Sequence, residues 1–324
     1  MTKIAFIFPG QGSQYVGMGQ ALAKASPAAA AVFTAADAAL GSPISRLAWD
    51  DPEKQLDLTE NAQPALLATS IAYLEALRER WRAEGRAIPA PAYMAGHSMG
   101  QYSAMVAAGV LSLADGLRLV RERGRQMQAS GDGRNGGMAA IIGLDDAALP
   151  ELVARAAVAG TFGVANRNAP GQVVVSGERA AIEAGAEIAR ELGARRAIVL
   201  PVSVAAHSSL MAGAATAMQA ILAGIPFADP TTLLLANADA RVLRTGAAAR
   251  AELVEHLTTG VDWVRAIEVM AADGIDTYIE VGPGRVLTGL TKRIAPEARA
   301  IATDDSNLPG SLAVLDIDPV HLNA

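Results

Sequence analysis

The chain contains no cysteine among its 324 residues. This absence excludes disulfide bonds, thiolate metal sites, iron–sulfur clusters and a cysteine nucleophile, and it fits a reducing compartment. Aromatic residues make up only 4% of the chain, so the core must be built mainly from aliphatic side chains. We predict no metal site, and any nucleophile has to be another residue type.

Clustered positive charge and long apolar runs are also missing. The formal net charge is −6, and no run of lysine and arginine is longer than a pair. Because binding to phosphates requires a basic face, we do not expect nucleic acid as a partner. No apolar run approaches the ~18 residues of a transmembrane helix, and Ile4–Phe8 is too short for the core of a signal peptide. We expect a soluble, cytoplasmic protein that does not bind a membrane.

The residues that are present have the composition of a folded protein with a large core, since 51% are hydrophobic and only 19% are charged. The continuous apolar run Ile4–Phe8 predicts a buried strand that ends in a Gly-rich loop. Apolar residues at three- and four-residue steps predict a helix from Pro64 to Trp81, with the proline in its first turn. The length exceeds the usual size of one domain, which favours a large domain with a smaller one inserted or appended.

The glycine-dense segment 131–137 predicts a domain boundary. The pattern that follows, over 138–202, predicts the order strand, helix, strand, strand, helix, strand, which is that of a ferredoxin-like (βαββαβ) unit. We expect three units: a discontinuous large domain of residues 1–132 and 203–304, a small domain of residues 133–202, and a C-terminal tail of residues 305–324.

A possible nucleophile lies in the segment Gly96-His97-Ser98-Met99-Gly100, which fits the pattern G-x-S-x-G. In that pattern a strand ends in a strained turn that exposes the serine hydroxyl, and a helix follows. The amide N–H groups at the start of the helix, including that of Met99, would stabilise a developing oxyanion. The pattern predicts Ser98 as a nucleophile, and the alternative is a Gly-rich structural turn.

A catalytic serine needs a base, and the chain has only four histidines. His97 adjoins the serine and is more typical of a structural turn residue, whereas His321 lies in the tail. His256 lies in a predicted helix, where a core or surface role is more common. His207 lies where a strand is expected to meet a helix, a frequent position for active-site residues in α/β proteins, and we predict it as the base.

Arg123 lies at the flank of an apolar stripe on the helix predicted from about Ala114 to Gln128. An arginine in this position usually extends along the surface into solvent. If it faces a cleft instead, its guanidinium would bind a substrate carboxylate in a bidentate manner and select a dicarboxylic acyl group. Both interpretations remain open from the residues alone.

Taken together, the motifs resemble those of the malonyl-CoA:acyl carrier protein transacylase family, which includes the acyltransferase domains of fatty-acid and polyketide synthases. The resemblance covers about residues 4–301. The segments that carry it are Phe8-Pro9-Gly10-Gln11-Gly12-Ser13-Gln14, Gly96-His97-Ser98-Met99-Gly100, Arg123-Gly124, Gly137-Met138-Ala139-Ala140, Val164-Ala165-Asn166 to Gln172, Leu200-Pro201-Val202-Ser203 to His207, and Glu280-Val281-Gly282-Pro283-Gly284.

The resemblance implies an α/β-hydrolase-like large domain with an inserted ferredoxin-like small domain and an active site in the cleft between them. It implies Ser98 as the nucleophile, His207 as the general base and the amides of Gln11 and Met99 as the oxyanion hole. Arg123 would bind the malonyl carboxylate. In this family a backbone carbonyl orients the histidine, which would explain the lack of an obvious acid partner.

The implied reaction is ping-pong. Ser98 accepts malonyl from malonyl-CoA, coenzyme A leaves, and the phosphopantetheine thiol of an acyl carrier protein takes the acyl group. No bound cofactor is expected, and nothing in the pattern demands more than a monomer. The alternatives that use the same Ser98 and His207 are a trans-acting polyketide acyltransferase and an acyl hydrolase. A non-catalytic docking subunit is a further alternative.

One departure from the family pattern concerns the predicted site. His256 occupies a position at which malonyl-specific members usually carry glutamine. If this residue contributes only its carbonyl to His207, the change is tolerable. A second imidazole near the site would otherwise alter the pH profile or the pocket.

Overall fold

The computed structural model describes residues 3–131, 135–202 and 204–304. The described strands are β1 (Ile4–Phe8), β2 (Tyr93–Gly96), β3 (Gly136–Ile142), β4 (Phe162–Ala169), β5 (Gln172–Glu178), β6 (Arg196–Val199), β7 (Leu233–Leu235), β8 (Val242–Leu243), β9 (Val261–Asp262), β10 (Thr277–Glu280) and β11 (Arg299–Ala302). The described helices are α1 (Gln20–Ala25), α2 (Pro27–Leu40), α3 (Ile44–Trp49), α4 (Thr59–Ala83), α5 (Gly100–Ala107), α6 (Leu113–Gly131), α7 (Leu149–Ala156), α8 (Arg179–Glu191), α9 (Ala212–Ala223), α10 (Gly246–Thr259), α11 (Trp263–Ala272) and α12 (Val286–Ile294).

One sheet has the strand order β11-β10-β1-β2-β7-β8. Its neighbouring strands are parallel, except that β8 is antiparallel to β7. The predicted strand Ile4–Phe8 is confirmed as β1, and all of its residues are buried. Phe6 and Phe8 pack into a hydrophobic cluster on one face, and Ala5 and Ile7 pack into another cluster. Because this strand is covered on both faces, its sequence is apolar throughout.

The second sheet has the order β6-β3-β5-β4-β9. Strands β3 to β6 form antiparallel pairs, and α7 and α8 cover one face of the sheet. The order of strands and helices predicted for residues 138–202 is confirmed, although the last strand ends at Val199 rather than Val202. Strand β9, which was not predicted, adds Val261 and Asp262 to the sheet by pairing parallel to β4.

The helix predicted from Pro64 begins earlier. Helix α4 spans Thr59–Ala83, so the placement of Pro64 in the first turn is wrong. Proline has no N–H group that could donate a hydrogen bond to the Glu60 carbonyl, so helix α4 lacks one backbone hydrogen bond at this point. The ring of Pro64 is buried. Helix α6 crosses α4 here so closely that a Cβ on Gly124 would lie 2.6 Å from Cα of Glu60. The two backbones therefore touch beside Arg123.

Several elements were not predicted, namely α2, α3, β8 and β11. Helix α2 consists largely of alanine, which gives little contrast between a buried and an exposed face. The short strands have only two to four residues, too few for a periodic pattern. Within the ranges that the structure describes, no helix is both long and apolar enough to cross a membrane. The predicted tail, residues 305–324, lies outside the described residues.

Candidate active site

Ser98 lies in a sharp turn between the end of β2 and the start of α5. Its backbone has a φ of 52°, in the left-handed region that non-glycine residues rarely adopt. A Cβ on Gly96 would lie 2.0 Å from the carbonyl carbon of Gly100, and one on Gly100 would lie 2.2 Å from the Phe8 carbonyl oxygen. The two glycines of the G-x-S-x-G pattern are therefore required by close backbone contacts. Strained backbone of this kind costs about 1–3 kcal/mol and persists only where its surroundings hold it.

Side chains from neighbouring elements hold this turn. The side-chain carbonyl of Gln101 accepts a hydrogen bond from the Gly96 N–H at 3.2 Å, and its Nε2 donates to the Leu235 carbonyl at the end of β7 at 2.8 Å. The Ser98 N–H donates to Oδ1 of Asn237, just beyond β7, at 2.8 Å. These bonds fix the turn to the adjacent parallel strand.

His207 is the histidine that contacts the serine. Its Nε2 lies 2.8 Å from Oγ of Ser98, and its Nδ1 lies 2.6 Å from the backbone carbonyl oxygen of His256. Since a carbonyl can only accept, Nδ1 carries the hydrogen and Nε2 is free to accept the serine proton. A backbone carbonyl thus orients this imidazole, in the place that a carboxylate fills in a Ser-His-Asp triad.

The surroundings of His207 keep it neutral. The side chain is 6% exposed. Its pKa lies well below the ordinary 6.5, first because burial disfavours the charged ring, then because the positive charge of Arg123 lies nearby, and then because of the neighbouring imidazole of His256. A neutral imidazole is the form that can act as a general base.

Arg123 is buried, with 1% of its surface exposed. Of the two interpretations left open by the sequence, the one in which it extends along the surface into solvent is wrong, because the close crossing of α4 and α6 encloses it. Its Nη1 donates to Oε1 of Gln63 at 2.9 Å, and its Nη2 donates to Oγ of Ser98 at 3.0 Å. The guanidinium also lies 5.9 Å from the ring centroid of Tyr102. A buried cation therefore faces the serine hydroxyl directly.

His256 is fully buried beside these groups. Its Nε2 lies 3.3 Å from Nη2 of Arg123, and because the guanidinium can only donate, Nε2 accepts. Its Nδ1 lies 3.7 Å from Oε1 of Glu252, one helical turn earlier on α10. Burial and the charge of Arg123 hold the pKa of His256 well below 6.5. The residue thus contacts the site twice, through its carbonyl and through its ring.

Of the two predicted oxyanion donors, one belongs to the serine turn and the other to the loop after β1. Met99 directly precedes α5 with helical backbone angles, where N–H groups are not used by the helix itself. Gln11 lies in the loop after β1, and its side chain donates to Oγ1 of Thr59 at 3.4 Å. A Cβ on the preceding Gly10 would lie 2.6 Å from the His97 carbonyl oxygen, so this loop packs against the serine turn.

His97 makes contacts of its own, apart from this group. Nε2 of His97 lies 2.8 Å from Oδ1 of Asn168, and its ring packs 5.6 Å from the ring of Trp263. This fits its interpretation as a structural turn residue. His321 lies outside the described residues.

The sequence analysis did not identify Gln63, Asn237 and Glu252 as site residues. Gln63 accepts a hydrogen bond from Arg123, Asn237 accepts one from Ser98, and Glu252 accepts one from Asn237. One signal could have found Asn237, because it follows a strand, and the carboxyl ends of neighbouring parallel strands meet at one edge of a sheet. Gln63 and Glu252 lie within helices and carry no local signal.

Comparison with known proteins agrees with this geometry. The family model described as acyl transferase domain matches residues 5–305. The chain is 44% identical over 305 residues to the malonyl CoA-acyl carrier protein transacylase of Escherichia coli (strain K12), covering 94% of this chain and 97% of that protein.

Two solved structures are similar as well. The acyl carrier protein S-malonyltransferase from Vibrio cholerae is 39% identical, with a TM-score of 0.89 and coverage of 97% of this chain and 99% of that chain. The second structure is a complex of a type II PKS acyl-carrier protein with its malonyl-transacylase. Its matching chain is also 39% identical, with a TM-score of 0.88 and coverage of 94% of this chain and 97% of that chain. This chain is an acyltransferase and belongs to the acyl transferase domain family.

Proposed function

We propose that the protein transfers a malonyl group from malonyl-CoA to the phosphopantetheine thiol of an acyl carrier protein through a malonyl-Ser98 intermediate. The observation that carries this proposal is the buried Arg123 guanidinium 3.0 Å from Oγ of Ser98. A buried cation at the nucleophile favours an acyl group that bears a negative charge. The relatives named as malonyl transacylases support the same conclusion and favour transfer over hydrolysis.

In the first half-reaction Oγ of Ser98 attacks the thioester carbonyl while Nε2 of His207 takes its proton. The amides of Gln11 and Met99 stabilise the negative oxygen of the tetrahedral intermediate. The intermediate collapses with loss of the coenzyme A thiolate, to which His207 returns the proton. In the second half the carrier thiol gives its proton to His207 and attacks the malonyl-serine, and Ser98 regains the proton on leaving.

The malonyl carboxylate would bind to Arg123. Within the described residues, Nε of this arginine is buried and has no hydrogen-bond partner. A buried unpaired donor is costly, and an incoming carboxylate would satisfy it together with a neighbouring Nη group. Nη2 would exchange its bond to the Ser98 hydroxyl for one to the substrate as the serine becomes acylated.

The fold supports a division into an α/β-hydrolase-like large domain, residues 1–132 and 203–304, and a ferredoxin-like small domain, residues 133–202. The antiparallel order β6-β3-β5-β4 with two helices on one face supports the ferredoxin-like description. The mostly parallel sheet with buried strands, together with the strand-serine-helix turn, supports the hydrolase-like description.

The acceptor partner is an acyl carrier protein, and the similar complex with such a protein supports this choice. Malonyl-CoA is the donor substrate, and the absence of a bound cofactor stays a prediction. The cytoplasmic location and the monomeric state stay predictions.

The test is intact-protein mass spectrometry after brief exposure to malonyl-CoA, with methylmalonyl-CoA and acetyl-CoA in parallel. A malonyl adduct that persists in water and disappears when phosphopantetheinylated carrier protein is added supports the proposal. Ser98→Ala should give no adduct with any donor. An adduct lost without the carrier would indicate a hydrolase, and no adduct with any donor would indicate a docking subunit.

A further inference from the structure

Glu252 on α10 is a fully buried carboxylate that the reaction above does not use. Its Oε1 accepts a hydrogen bond from the Asn237 backbone N–H at 2.6 Å. Its Oε2 lies 3.5 Å from Nη2 of Arg241, which is partly exposed. A carboxylate is rarely buried without a specific task, because removing it from water is costly.

Asn237 forms hydrogen bonds both with Glu252 and with the proposed nucleophile, Ser98. Asn237 accepts the Ser98 N–H on its side-chain oxygen at 2.8 Å, while its own backbone N–H is bound by Glu252. Ser98 has a φ of 52°, so its backbone needs an external restraint. The bond to Asn237 supplies that restraint and leaves the next N–H along the chain, that of Met99, to face an oxyanion.

We propose that Glu252 is a positioning residue, which holds Asn237 against the backbone of Ser98 and so keeps the serine hydroxyl directed at His207. The inference rests on the proposed role of Ser98 as the nucleophile. It concerns serine reactivity and not the choice of acyl group.

Charged and titratable groups surround this carboxylate on several sides. Arg241 and Asp239 lie in the segment before β8, His256 lies on α10, and Tyr102 faces it from α5. Burial raises the pKa of Glu252 to about 7, and the bond from Asn237 and the charge of Arg241 act in the opposite direction. Arg241 also pairs with Glu255, the exposed acid next to His256 on the same helix.

The test is the rate at which a fluorophosphonate probe labels Ser98, because this reagent needs only an activated serine. We expect Glu252→Leu to slow labelling by up to about a hundredfold, as displacements of about 1 Å can cost that much. Glu252→Gln keeps an acceptor oxygen and should retain most of the rate. Glu255→Leu is the matched control on the same helix, and it should label like the wild type.

A second variant separates positioning from general support of the fold. Asn237→Ala removes the bond to Ser98 but leaves the backbone bond to Glu252. We expect Asn237→Ala to label as slowly as Glu252→Leu, and the double variant to be no slower than either. Thermal unfolding of each variant shows whether the protein is folded.

Three results would each overturn the proposal: wild-type labelling of folded Glu252→Leu, wild-type labelling of Asn237→Ala, and a further large loss when both changes are combined. If Glu252→Leu does not fold, wild-type labelling of Asn237→Ala would still overturn the proposal. If the wild type labels with the probe but forms no malonyl adduct, the proposed function fails while the positioning role is still tested.

Discussion

Nη2 of Arg123 donates a hydrogen bond to Oγ of Ser98 across 3.0 Å. The same oxygen lies 2.8 Å from Nε2 of His207, so the hydroxyl can donate to the base while it accepts from the cation. This arrangement polarises the O–H bond toward the alkoxide. Under the function proposed above, the same positive charge binds the far carboxylate of the malonyl group.

The first prediction concerns acyl selectivity. Arg123→Ala should reduce kcat/KM for malonyl-CoA roughly 30-fold to several thousand-fold, since a buried carboxylate then loses its partner. This range corresponds to an increase of about 2–5 kcal/mol in the activation free energy. Acetyl transfer should fall much less, because acetyl has no carboxylate. The measurement is kcat/KM of the variant and the wild type with both donors.

Arg123→Lys is the matched comparison, because it keeps the charge and loses the fork of donors. It should recover part of the malonyl preference. Equal losses for malonyl and acetyl in Arg123→Ala would show that the arginine serves the serine and not the carboxylate.

The second prediction concerns pH. Because burial, Arg123 and His256 together hold the pKa of His207 well below 6.5, the base stays neutral in mildly acidic solution. The rate of Ser98 acylation by malonyl-CoA should therefore remain constant as the pH falls to 6.5 and decline only well below that value. The acylation rate measured as a function of pH in rapidly quenched reactions tests this prediction.

The same shift has a consequence for stability. The unfolded chain binds a proton on His207 near its ordinary pKa of 6.5, and the folded chain does so only at lower pH. This residue therefore contributes stability above 6.5 that is lost as the pH falls toward the folded pKa. Urea unfolding of the wild type and of His207→Gln across this window should show a smaller loss in the variant.

The third prediction concerns the imidazole of His256. Because this ring lowers the pKa of His207, His256→Gln should move the acid limb of the acylation profile to higher pH. The backbone carbonyl that orients His207 is retained, and glutamine can still accept from Arg123, so malonyl transfer should persist near neutral pH. An unchanged acid limb would mean that the ring contributes only packing.

The fourth prediction concerns the crossing of α4 and α6. A Cβ at Gly124 would lie 2.6 Å from Cα of Glu60 and 2.8 Å from the carbonyl oxygen of Thr59. Gly124→Ala should therefore lower the free energy of unfolding by about 1–3 kcal/mol and weaken the malonyl preference by shifting Arg123. Denaturant unfolding and kcat/KM with the two donors measure these effects.

Gly289 on α12 is the control for this substitution. It is exposed, and a Cβ there would meet nothing within 4 Å. Gly289→Ala should stabilise the protein by about 0.5–1 kcal/mol, as expected when alanine replaces glycine in a helix. If Gly124→Ala were also stabilising, the two helices could separate without cost, and the close crossing would not position Arg123.

Much of the fold could be predicted because its signals are local. The apolar run of β1 follows from composition within a short window. The order of elements in 138–202 follows in the same way. Helix α2 and strand β9 could not be predicted, since an alanine-rich helix has little polarity contrast and a two-residue strand exists only through its partner.

The amino-acid sequence by itself determined the serine turn, because glycines at 96 and 100 are needed wherever backbone passes within contact distance of backbone. The sequence also limited the candidates for the general base to four histidines. Only the tertiary structure decided which histidine contacts the serine and that Arg123 is buried against the serine hydroxyl. It also decided that Asn237 bonds the serine backbone and that Glu252 bonds Asn237. These contacts join residues far apart in the chain, and burial and distance between them arise from packing, which no local pattern specifies.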